Sequence, residues 1–220
     1  MKNNAKRYLV GMVIPCYNRP KYLKKCLESI SRSFIPEYLT LYIIDDNSTD
    51  KETKELISNA QINGVIIKKH FNKENKGIAK NLAFCYDYLY EEGYKILGHV
   101  ESDCIVNKFW LINMLEQLDK NPKDIISGFN PSNHSESKII TESDRSVRKN
   151  FIGGCNILFK KNKYGIVKKS LKKENAGGWD LVLAKNIKGF VCTKPSVVQH
   201  IGLIGTMGHN AHYQATDFNE

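Results

Sequence analysis

Short apolar segments alternate with amphipathic segments along the first 120 residues of the chain. Residues 9–14 form a short apolar run, and from Pro20 onward apolar side chains recur on one face at helical spacing. The same alternation predicts strands at residues 40–44, 65–67 and 94–100, a helix capped by Ser48 or Asp50 that ends near residue 60, and helices over residues 77–92 and 107–118. We therefore expect an α/β fold with a mostly parallel sheet and helices on both faces.

The pattern weakens after residue 129. Residues 130–150 are polar and rich in serine, asparagine and charge, which predicts a mobile surface loop or an irregular excursion. Residues 155–159 predict a strand, residues 177–187 a loop entering a helix, and residues 190–199 a last strand. The chain has no internal repeat or low-complexity linker, and its 220 residues, 41% of them hydrophobic, suit a single domain.

The sequence also indicates a cellular compartment. No apolar run approaches the roughly 18 residues that span a bilayer, and the polar residues 1–7 lack the apolar core of a signal peptide. These features predict a soluble, cytoplasmic protein. The six cysteines include no Cys-x-x-Cys pair, which argues against a zinc module or a disulfide framework and predicts reduced, mostly buried thiols.

A formal net charge of +10 suggests an anionic partner. The charge peaks in residues 160–173, where seven of fourteen residues are lysine, without the interleaved aromatics and arginines that single-strand binders use. We therefore expect no nucleic acid. A solvated basic face is the favoured interpretation, with peripheral contact to an anionic membrane or a phosphorylated substrate as alternatives.

Two carboxylates follow the predicted strand at residues 94–100. Glu101 and Asp103 are one residue apart, so in an extended chain they point to the same side, and close carboxylates repel unless a cation or a proton lies between them. A divalent metal explains the pair, and a solvated acidic corner is the alternative. Ligands of open α/β sheets bind at this edge, the carboxyl ends of the strands.

Three other loops meet at the same predicted edge, residues 15–20, 45–50 and 75–81. Together they offer carboxylates, amides, an aromatic ring and lysines, which suit a ligand with a flat base, hydroxyls and phosphates. The sequence therefore predicts a nucleotide site.

Seven segments, taken in order, resemble the signature of family 2 glycosyltransferases with the GT-A fold. They are residues 13–19 (Val-Ile-Pro-Cys-Tyr-Asn-Arg), 45–50 (Asp-Asp-Asn-Ser-Thr-Asp), 75–81 (Asn-Lys-Gly-Ile-Ala-Lys-Asn), 101–103 (Glu-Ser-Asp), 153–156 (Gly-Gly-Cys-Asn), 178–180 (Gly-Trp-Asp) and 199–202 (Gln-His-Ile-Gly). The resemblance covers about residues 8–205. It implies a nucleotide-sugar-binding half at residues 8–106 merged with an acceptor-binding half at 107–202, followed by a flexible tail or lid at 203–220.

The resemblance implies inverting transfer from a UDP-sugar donor to a saccharide or glycoconjugate acceptor. Pro15 and Tyr17 would shape the nucleoside pocket, and Asp46 would accept a base N–H, unless it only serves turn and helix-cap chemistry. Lys80 or Lys76 would neutralise the diphosphate, with an exposed helix lysine as the alternative for Lys80. The full implied donor set is Pro15, Tyr17, Asn18, Asp46, Asn47, Gly77, Lys80, Asn81, Glu101, Ser102 and Asp103, where Asn81 is equally explained as a helix-surface residue.

The resemblance also implies a metal and a base. Asp103 and His200 would hold Mn²⁺ or Mg²⁺, while Glu101, in place of the usual aspartate, contacts the metal directly, through water, or binds a sugar hydroxyl. Asp180 would deprotonate the acceptor hydroxyl, and Trp179 and Gly154 would bind the acceptor. The alternatives are a helix N-cap for Asp180, a core anchor for Trp179 and a tight turn for Gly154.

Other functional classes remain to be weighed. A sugar nucleotidyltransferase lacks support because no Gly-rich, arginine-bearing loop follows the first strand, and a Rossmann dehydrogenase because Gly-x-Gly-x-x-Gly is absent there. A non-catalytic module that binds carbohydrate, nucleotide sugar or nucleic acid is harder to exclude. In the tail, His209 and His212 are explained as an additional ligand pair on a closing lid or, preferably, as part of a polar tail.

Overall fold

Strands and helices alternate through the first half of the protein, as the pattern predicts. The computed structural model describes residues 9–131, 137–172, 178–203 and 214–220. The helices are α1 (Pro20–Arg32), α2 (Lys51–Asn59), α3 (Ile78–Glu91), α4 (Trp110–Lys120), α5 (Tyr164–Lys172) and α6 (Trp179–Asn186), with a 3₁₀ turn at Lys161–Lys163. The strands are β1 (Val10–Cys16), β2 (Leu39–Asp45), β3 (Ile66–Phe71), β4 (Ile96–Val100), β5 (Cys104–Val106), β6 (Ile125–Ser127), β7 (Ile139–Glu142), β8 (Ser146–Lys149), β9 (Asn156–Lys160), β10 (Phe190–Thr193) and β11 (Val198–His200).

Within the described residues, nine strands form one sheet in the order β3-β2-β1-β4-β9-β6-β10-β8-β7. The first four strands are parallel, which is the arrangement expected from strand-helix alternation. Strand β9 is antiparallel to both of its neighbours, β4 and β6, so the second half of the sheet is mixed. Strands β5 and β11 form a separate two-stranded ladder.

Helices cover both faces of the sheet, as predicted. In β1, Met12 and Ile14 belong to one apolar cluster and Val13 to the other, because successive side chains of a strand point to opposite faces. Helices α1, α2 and α4 contribute to the first cluster, and α3, α5 and α6 to the second. All six cysteines are buried, in agreement with the sequence-based expectation.

Local signals explain where the first helices begin. Pro20 occupies the first turn of α1, where its missing N–H costs no hydrogen bond. The carboxylate of Asp50 accepts hydrogen bonds from the backbone N–H groups of Glu52 and Thr53, so Asp50, not Ser48, caps α2.

Residues 130–150 were expected to be irregular, and this prediction is wrong for the part that contains β7 and β8. The two strands form a hairpin that continues the main sheet through β10. Its anchors are polar: Arg148 forms a two-pronged ion pair with Asp124, and the buried amine of Lys149 donates to the carbonyl of Pro131. Polar side chains therefore occupy positions where an apolar alternation would have revealed strands. Residues 132–136 lie outside the described residues.

The last predicted strand, residues 190–199, is in fact two strands in two sheets. Strand β10 ends at Thr193, and Pro195, which cannot donate to a ladder, separates it from β11. Strand β11 pairs with β5 and brings His200 opposite Cys104. This change of sheet decides where the candidate metal ligand lies.

The end of the chain is packed where the structure describes it. Ala215 is buried. Its carbonyl accepts from Gln199 Nε2 at 2.9 Å, and its N–H donates to Gln199 Oε1 at 3.0 Å. Residues 214–220 thus contact the end of β11 through Ala215, and the flexible tail or lid expected over residues 203–220 stays a prediction. Residues 204–213, which include His209 and His212, lie outside the described residues. Among the helices of the described ranges, none has the length and apolarity to cross a membrane.

Candidate active site

A cleft of about 490 Å³ opens at the carboxyl ends of β1, β2 and β4, within the volume range typical of small-molecule pockets. Strand β1 lies between β2 and β4, so the order of the parallel strands reverses there. The loops after these strands meet at one edge of the sheet, where open α/β sheets bind their ligands. Among the residues predicted to bind the donor or the metal, the structure brings these together around the cleft: Pro15, Tyr17, Asp46, Gly77, Asn81, Glu101, Ser102, Asp103 and His200.

Asn18 joins two loops at the rim of this cleft. Its side-chain oxygen accepts hydrogen bonds from the backbone N–H groups of Thr49 and Asp50, at 3.0 and 3.1 Å, and its own N–H donates to Ser48 Oγ at 2.7 Å. Asn18 also has a positive φ of 55°, a conformation that asparagine tolerates better than most residues. The observed contacts of Asn18 thus organise the loops, and its predicted contact with the donor stays a prediction.

Asp46 is the anchor of the loop before α3. Its Oδ1 accepts from the side chain of Asn72 and the backbone of Lys76, and its Oδ2 accepts from the backbone of Gly77, all at 2.9 Å. Gly77 has a φ of 76°, where a side chain would be strained. Since a carboxylate oxygen can accept two hydrogen bonds, Oδ2 retains acceptor capacity, and Asp46 lines the cleft.

The remaining predicted donor residues fall into two groups. Asn81 is buried and its Oδ1 accepts from Asn72 at 2.9 Å, so it is not a helix-surface residue. Lys80 is exposed on α3, and neither Lys80 nor Asn47 lines the cleft as described. Asn47 has a positive φ of 60° in the turn after β2. The roles of Lys80 and Asn47 toward a donor stay predictions.

Glu101, Asp103 and His200 form a cluster on the floor of the cleft. Their candidate ligand atoms all lie within 4.8 Å of one another. The β5–β11 ladder creates this proximity, because Ile201 N–H donates to the Asp103 carbonyl at 2.8 Å and places the His200 ring beside the Asp103 carboxylate. His200 Nε2 lies 3.4 Å from Asp103 Oδ2.

The cluster has the properties of a site for a divalent cation. Among the described residues, Asp103 Oδ1 is one of two buried side-chain polar atoms without a hydrogen-bond partner, which is costly unless a ligand completes it. The backbone of Gly202 lies against the same carboxylate so closely that an added Cβ would fall 2.4 Å from Oδ2. Carboxylate plus imidazole is a donor set that suits Mn²⁺, or Mg²⁺ with fewer protein ligands.

Arg19 is a site residue to which sequence reasoning assigned no role. Its guanidinium donates to Asp103 Oδ2 at 2.5 Å across 84 residues of sequence. Arg19 precedes α1 with a φ of 63°, and this left-handed conformation turns the chain into Pro20. The sequence did contain one signal for Arg19, its position in the first motif directly before the proline that starts α1. Its partner, Asp103, could not be predicted because the contact depends on the tertiary structure.

The pKa values of the two acids in the cluster shift in opposite directions. Burial raises the pKa of Asp103, but the hydrogen bond and charge of His200 and the charge of Arg19 outweigh burial, so the pKa lies below its usual value. Burial, followed by the charges of Asp103 and Asp180, holds the pKa of Glu101 well above its usual value. The surroundings therefore favour the charged form of Asp103 and disfavour the charged form of Glu101.

Asp180, the predicted base, lies close to this end of the cleft. Its charge acts on Glu101, and its Oδ2 accepts from the backbone N–H of Gly154 at 3.2 Å. Gly154 immediately precedes Cys155, whose carbonyl accepts from Glu101 N–H at 2.9 Å. One backbone segment, Gly154 and Cys155, therefore bonds both Asp180 and Glu101, and the pairing of β9 with β4 places this segment beside Glu101.

Trp179 packs inside the protein. It is 6% exposed, and its ring meets His99 edge-to-face with centroids 5.7 Å apart. An added Cβ on Gly154 would fall 2.6 Å from the Trp179 ring. The backbone of Gly154 therefore packs closely against Trp179, where a side chain would not fit. With so little exposed ring, Trp179 corresponds to the core anchor that the sequence left open as the alternative to sugar stacking.

A family model matches most of the chain, and two curated relatives are transferases of sugars. Residues 12–177 match the model described as glycosyl transferase family 2. The chain is 30% identical over 132 residues to glycosyltransferase GlyG of Streptococcus pneumoniae serotype 4, covering 59% of this chain and 41% of that protein. It is 29% identical over 103 residues to an N-acetylglucosaminyltransferase of Mesorhizobium japonicum, covering 44% of this chain and 22% of the relative.

Solved structures share the fold. The crystal structure of S. aureus TarS 1-349 in complex with UDP-GlcNAc superposes with a TM-score of 0.58 at 15% identity, covering 83% of this chain and 55% of that one. The crystal structure of GalNAc-T7 with UDP, GalNAc and Mn²⁺ superposes with a TM-score of 0.68 at 12% identity, covering 88% of this chain and 43% of that one. The chain spans less than half the length of both curated relatives. With its α/β sheet, its cleft and a match over residues 12–177, the chain belongs to glycosyl transferase family 2.

Proposed function

We propose that this chain is an inverting glycosyltransferase domain, which moves a sugar from a UDP-sugar to a hydroxyl of a saccharide or glycoconjugate. The observation that carries the proposal is the cluster of Glu101, Asp103 and His200 in a cleft that Asp46 also lines. Family membership supports sugar transfer, and a neighbouring fold crystallised with UDP-GlcNAc supports a nucleotide sugar as donor.

The uracil base would bind at the Asp46 end of the cleft. Three hydrogen bonds from Asn72, Lys76 and Gly77 orient the Asp46 carboxylate, and Oδ2 retains acceptor capacity for a base N–H. Tyr17 lines the same cleft and is 37% exposed, so its ring is available to a flat base. Uracil carries an N–H at N3, where cytosine has an unprotonated nitrogen. An acceptor oriented toward that position therefore supports selectivity for uracil.

Asp103 and His200 would hold a divalent cation, with Mn²⁺ favoured by the imidazole. When bound, the ion neutralises charge that develops on the leaving diphosphate. The Asp103 carboxylate is oriented before any ion binds, because Arg19 donates to Oδ2 while Oδ1 has no hydrogen-bond partner. Glu101 lines the same cleft beside Asp103, where its carboxyl group would contact the cation directly, contact it through water, or bind a sugar hydroxyl.

Asp180 would act as the base. It would take the proton from the acceptor hydroxyl while that oxygen attacks the anomeric carbon, on the face opposite the diphosphate. One C–O bond forms as the bond to the diphosphate oxygen breaks, so the anomeric configuration inverts. Its hydrogen bond from Gly154 and its influence on Glu101 support this location for the acceptor hydroxyl.

A donor screen tests the proposal. Purified protein is incubated with a panel of UDP-sugars with Mn²⁺, with Mg²⁺ or with a chelator, and released UDP is quantified. We expect metal-dependent UDP release from at least one donor, by slow hydrolysis without acceptor and faster with a suitable saccharide, and NMR of the product should show the inverted anomer. Binding of a UDP-sugar without UDP release under any of these conditions would indicate a non-catalytic binding module instead.

A further inference from the structure

A buried histidine lies in the middle of β4, where an apolar side chain would suffice for packing. His99 is 0% exposed, and both of its ring nitrogens have partners. Nε2 lies 2.6 Å from the Gly154 carbonyl oxygen, and Nδ1 lies 2.5 Å from the hydroxyl of Tyr86. A carbonyl oxygen only accepts, so Nε2 carries the proton, and Nδ1 accepts from the Tyr86 O–H. The Gly154 carbonyl thus fixes the tautomer of His99, and the Tyr86 hydroxyl holds the other ring nitrogen.

The backbone of Gly154 is held from both sides. His99 donates to its carbonyl, and its own N–H donates to Asp180 Oδ2 at 3.2 Å. A continuous series of hydrogen bonds therefore runs from the Tyr86 hydroxyl through His99 and Gly154 to the Asp180 carboxylate. It joins α3 and β4 of the nucleotide-binding half to the start of α6.

Packing restricts the same segment in a third direction. The Trp179 ring occupies the space that a Cβ of Gly154 would need, 2.6 Å away, and the ring also meets the His99 imidazole edge-to-face. Gly154 cannot move toward Trp179, and His99 keeps it from moving away. This restrained N–H holds Oδ2 of Asp180, while the backbone N–H of Leu181 holds Oδ1 at 2.9 Å.

We propose that His99, whose ring is held by the Tyr86 hydroxyl, is a positioning residue that holds Gly154 and thereby orients the Asp180 carboxylate for transfer. This inference rests on the proposed function, in which Asp180 is the base. Catalytic geometry is demanding, since a misplacement of about 1 Å costs on the order of 10²-fold in rate. The ring of His99 also joins separate elements, because it contacts Tyr86 on α3, the Gly154 carbonyl and the Trp179 ring at the start of α6.

Three substitutions and one control test the role of His99. His99→Leu removes the donor to Gly154, His99→Gln restores an N–H donor, and Tyr86→Phe removes only the hydroxyl that holds Nδ1 of His99. The matched control is Tyr42→Phe, because Tyr42 is also a buried tyrosine with a bonded hydroxyl, at 3.1 Å from Tyr94, but it lies on β2 outside the cleft lining.

Turnover is measured as UDP release from the UDP-sugar that the donor screen shows to react fastest. His99→Leu should lower kcat by roughly 10- to 100-fold with donor KM and UDP affinity almost unchanged, because only the base is displaced. His99→Gln should recover most of the loss, Tyr86→Phe should lower kcat severalfold, and Tyr42→Phe should not lower it. Equal losses in kcat and UDP affinity, or no recovery in His99→Gln, would overturn the proposal.

A double substitution separates this inference from the proposed function. In the Asp180→Asn background, His99→Leu should add no further loss of kcat if His99 acts through Asp180, whereas a full multiplicative loss contradicts it. If Asp180→Asn alone retains turnover, the base assignment of the proposed function fails.

The amide NMR signal of Gly154 in the unliganded protein tests His99 without reference to turnover. We expect a changed chemical shift and faster hydrogen exchange of this amide in Tyr86→Phe but not in Tyr42→Phe. An unchanged Gly154 signal in Tyr86→Phe refutes the positioning role.

Discussion

Gly202 lies directly against the carboxylate of Asp103, since a Cβ added to Gly202 would fall 2.4 Å from Asp103 Oδ2. The same carbon would lie 3.1 Å from the ring of His200. Both predicted metal ligands therefore share one backbone surface that has no side chain. This relationship connects the fourth and the last of the sequence motifs in a way that their separation in sequence does not reveal.

Gly202→Ala should disrupt the candidate metal site. Because the added carbon forces Asp103 or His200 to move, we expect UDP binding in the presence of Mn²⁺ to weaken roughly tenfold or more, about 1.4 kcal/mol or more. Isothermal titration calorimetry with UDP, with and without Mn²⁺, measures this change. Gly165→Ala is the matched control, because an added Cβ there meets no atom within 4 Å, and it should leave UDP binding unchanged.

Asp103→Asn should abolish the metal dependence of UDP binding while the fold stays intact. The substitution keeps the size of the side chain but removes the anion that the cation needs, whereas His200→Ala should weaken binding less. Asp124→Asn serves as control, since Asp124 pairs with Arg148 at 2.6 Å and does not line the cleft. Mn²⁺-supported UDP binding of normal strength in Asp103→Asn would show that the metal assignment is wrong.

Asp180→Asn should separate catalysis from donor binding. The amide oxygen can still accept the hydrogen bond from Gly154, but it cannot take a proton, so transfer should fall by roughly 10²- to 10⁴-fold with UDP affinity almost unchanged. Steady-state rates and UDP titration of the same preparation check both parts. Near-normal transfer by Asp180→Asn would point to another carboxylate, with Glu101 the first candidate.

His99 should contribute to the pH dependence of stability. Burial lowers the pKa of His99 from 6.5 to about 4, although its bond to the Gly154 carbonyl opposes the shift. Between these values the unfolded state binds more protons, so this contribution is complete above about pH 6.5 and is lost as the pH falls toward 4.

Urea unfolding at pH 7 and pH 4.5 measures this effect. The wild type should lose more stability than His99→Gln, up to roughly 3 kcal/mol over the full window, because one pKa unit is worth about 1.4 kcal/mol and glutamine does not titrate. Parallel losses in the two proteins would show that His99 does not titrate as stated.

Much of the first half could be predicted from the sequence because its signals are local. Apolar periodicity marked β1 to β4 and α1 to α3, and polar residues at the ends of those strands marked the cleft. Segment order within the resemblance identified the family, which the match over residues 12–177 confirms. Local chemistry also predicted Asp50 as a candidate cap, because its acceptor lies within three residues of its donors.

Local patterns failed where stability comes from partners far away in sequence. The β7–β8 hairpin depends on the Arg148–Asp124 ion pair and on the bond from Lys149 to the Pro131 carbonyl, so its strands lack apolar alternation. Residues 190–199 divide between two sheets because β10 pairs with β6 and β8, whereas β11 pairs with β5, and all three partners are distant in sequence.

The sequence by itself determined which side chains reach the carboxyl edge of the sheet, because strand ends and helix starts are encoded by neighbouring residues. Only the tertiary structure decided how they combine. Arg19 meets Asp103 across 84 residues and His99 meets Gly154 across 55, and both contacts require the order of strands in the sheet. The antiparallel insertion of β9 beside β4 places Gly154 between His99 and Asp180. Strand order is set by the total burial of two apolar faces, a property that no single segment of the sequence contains.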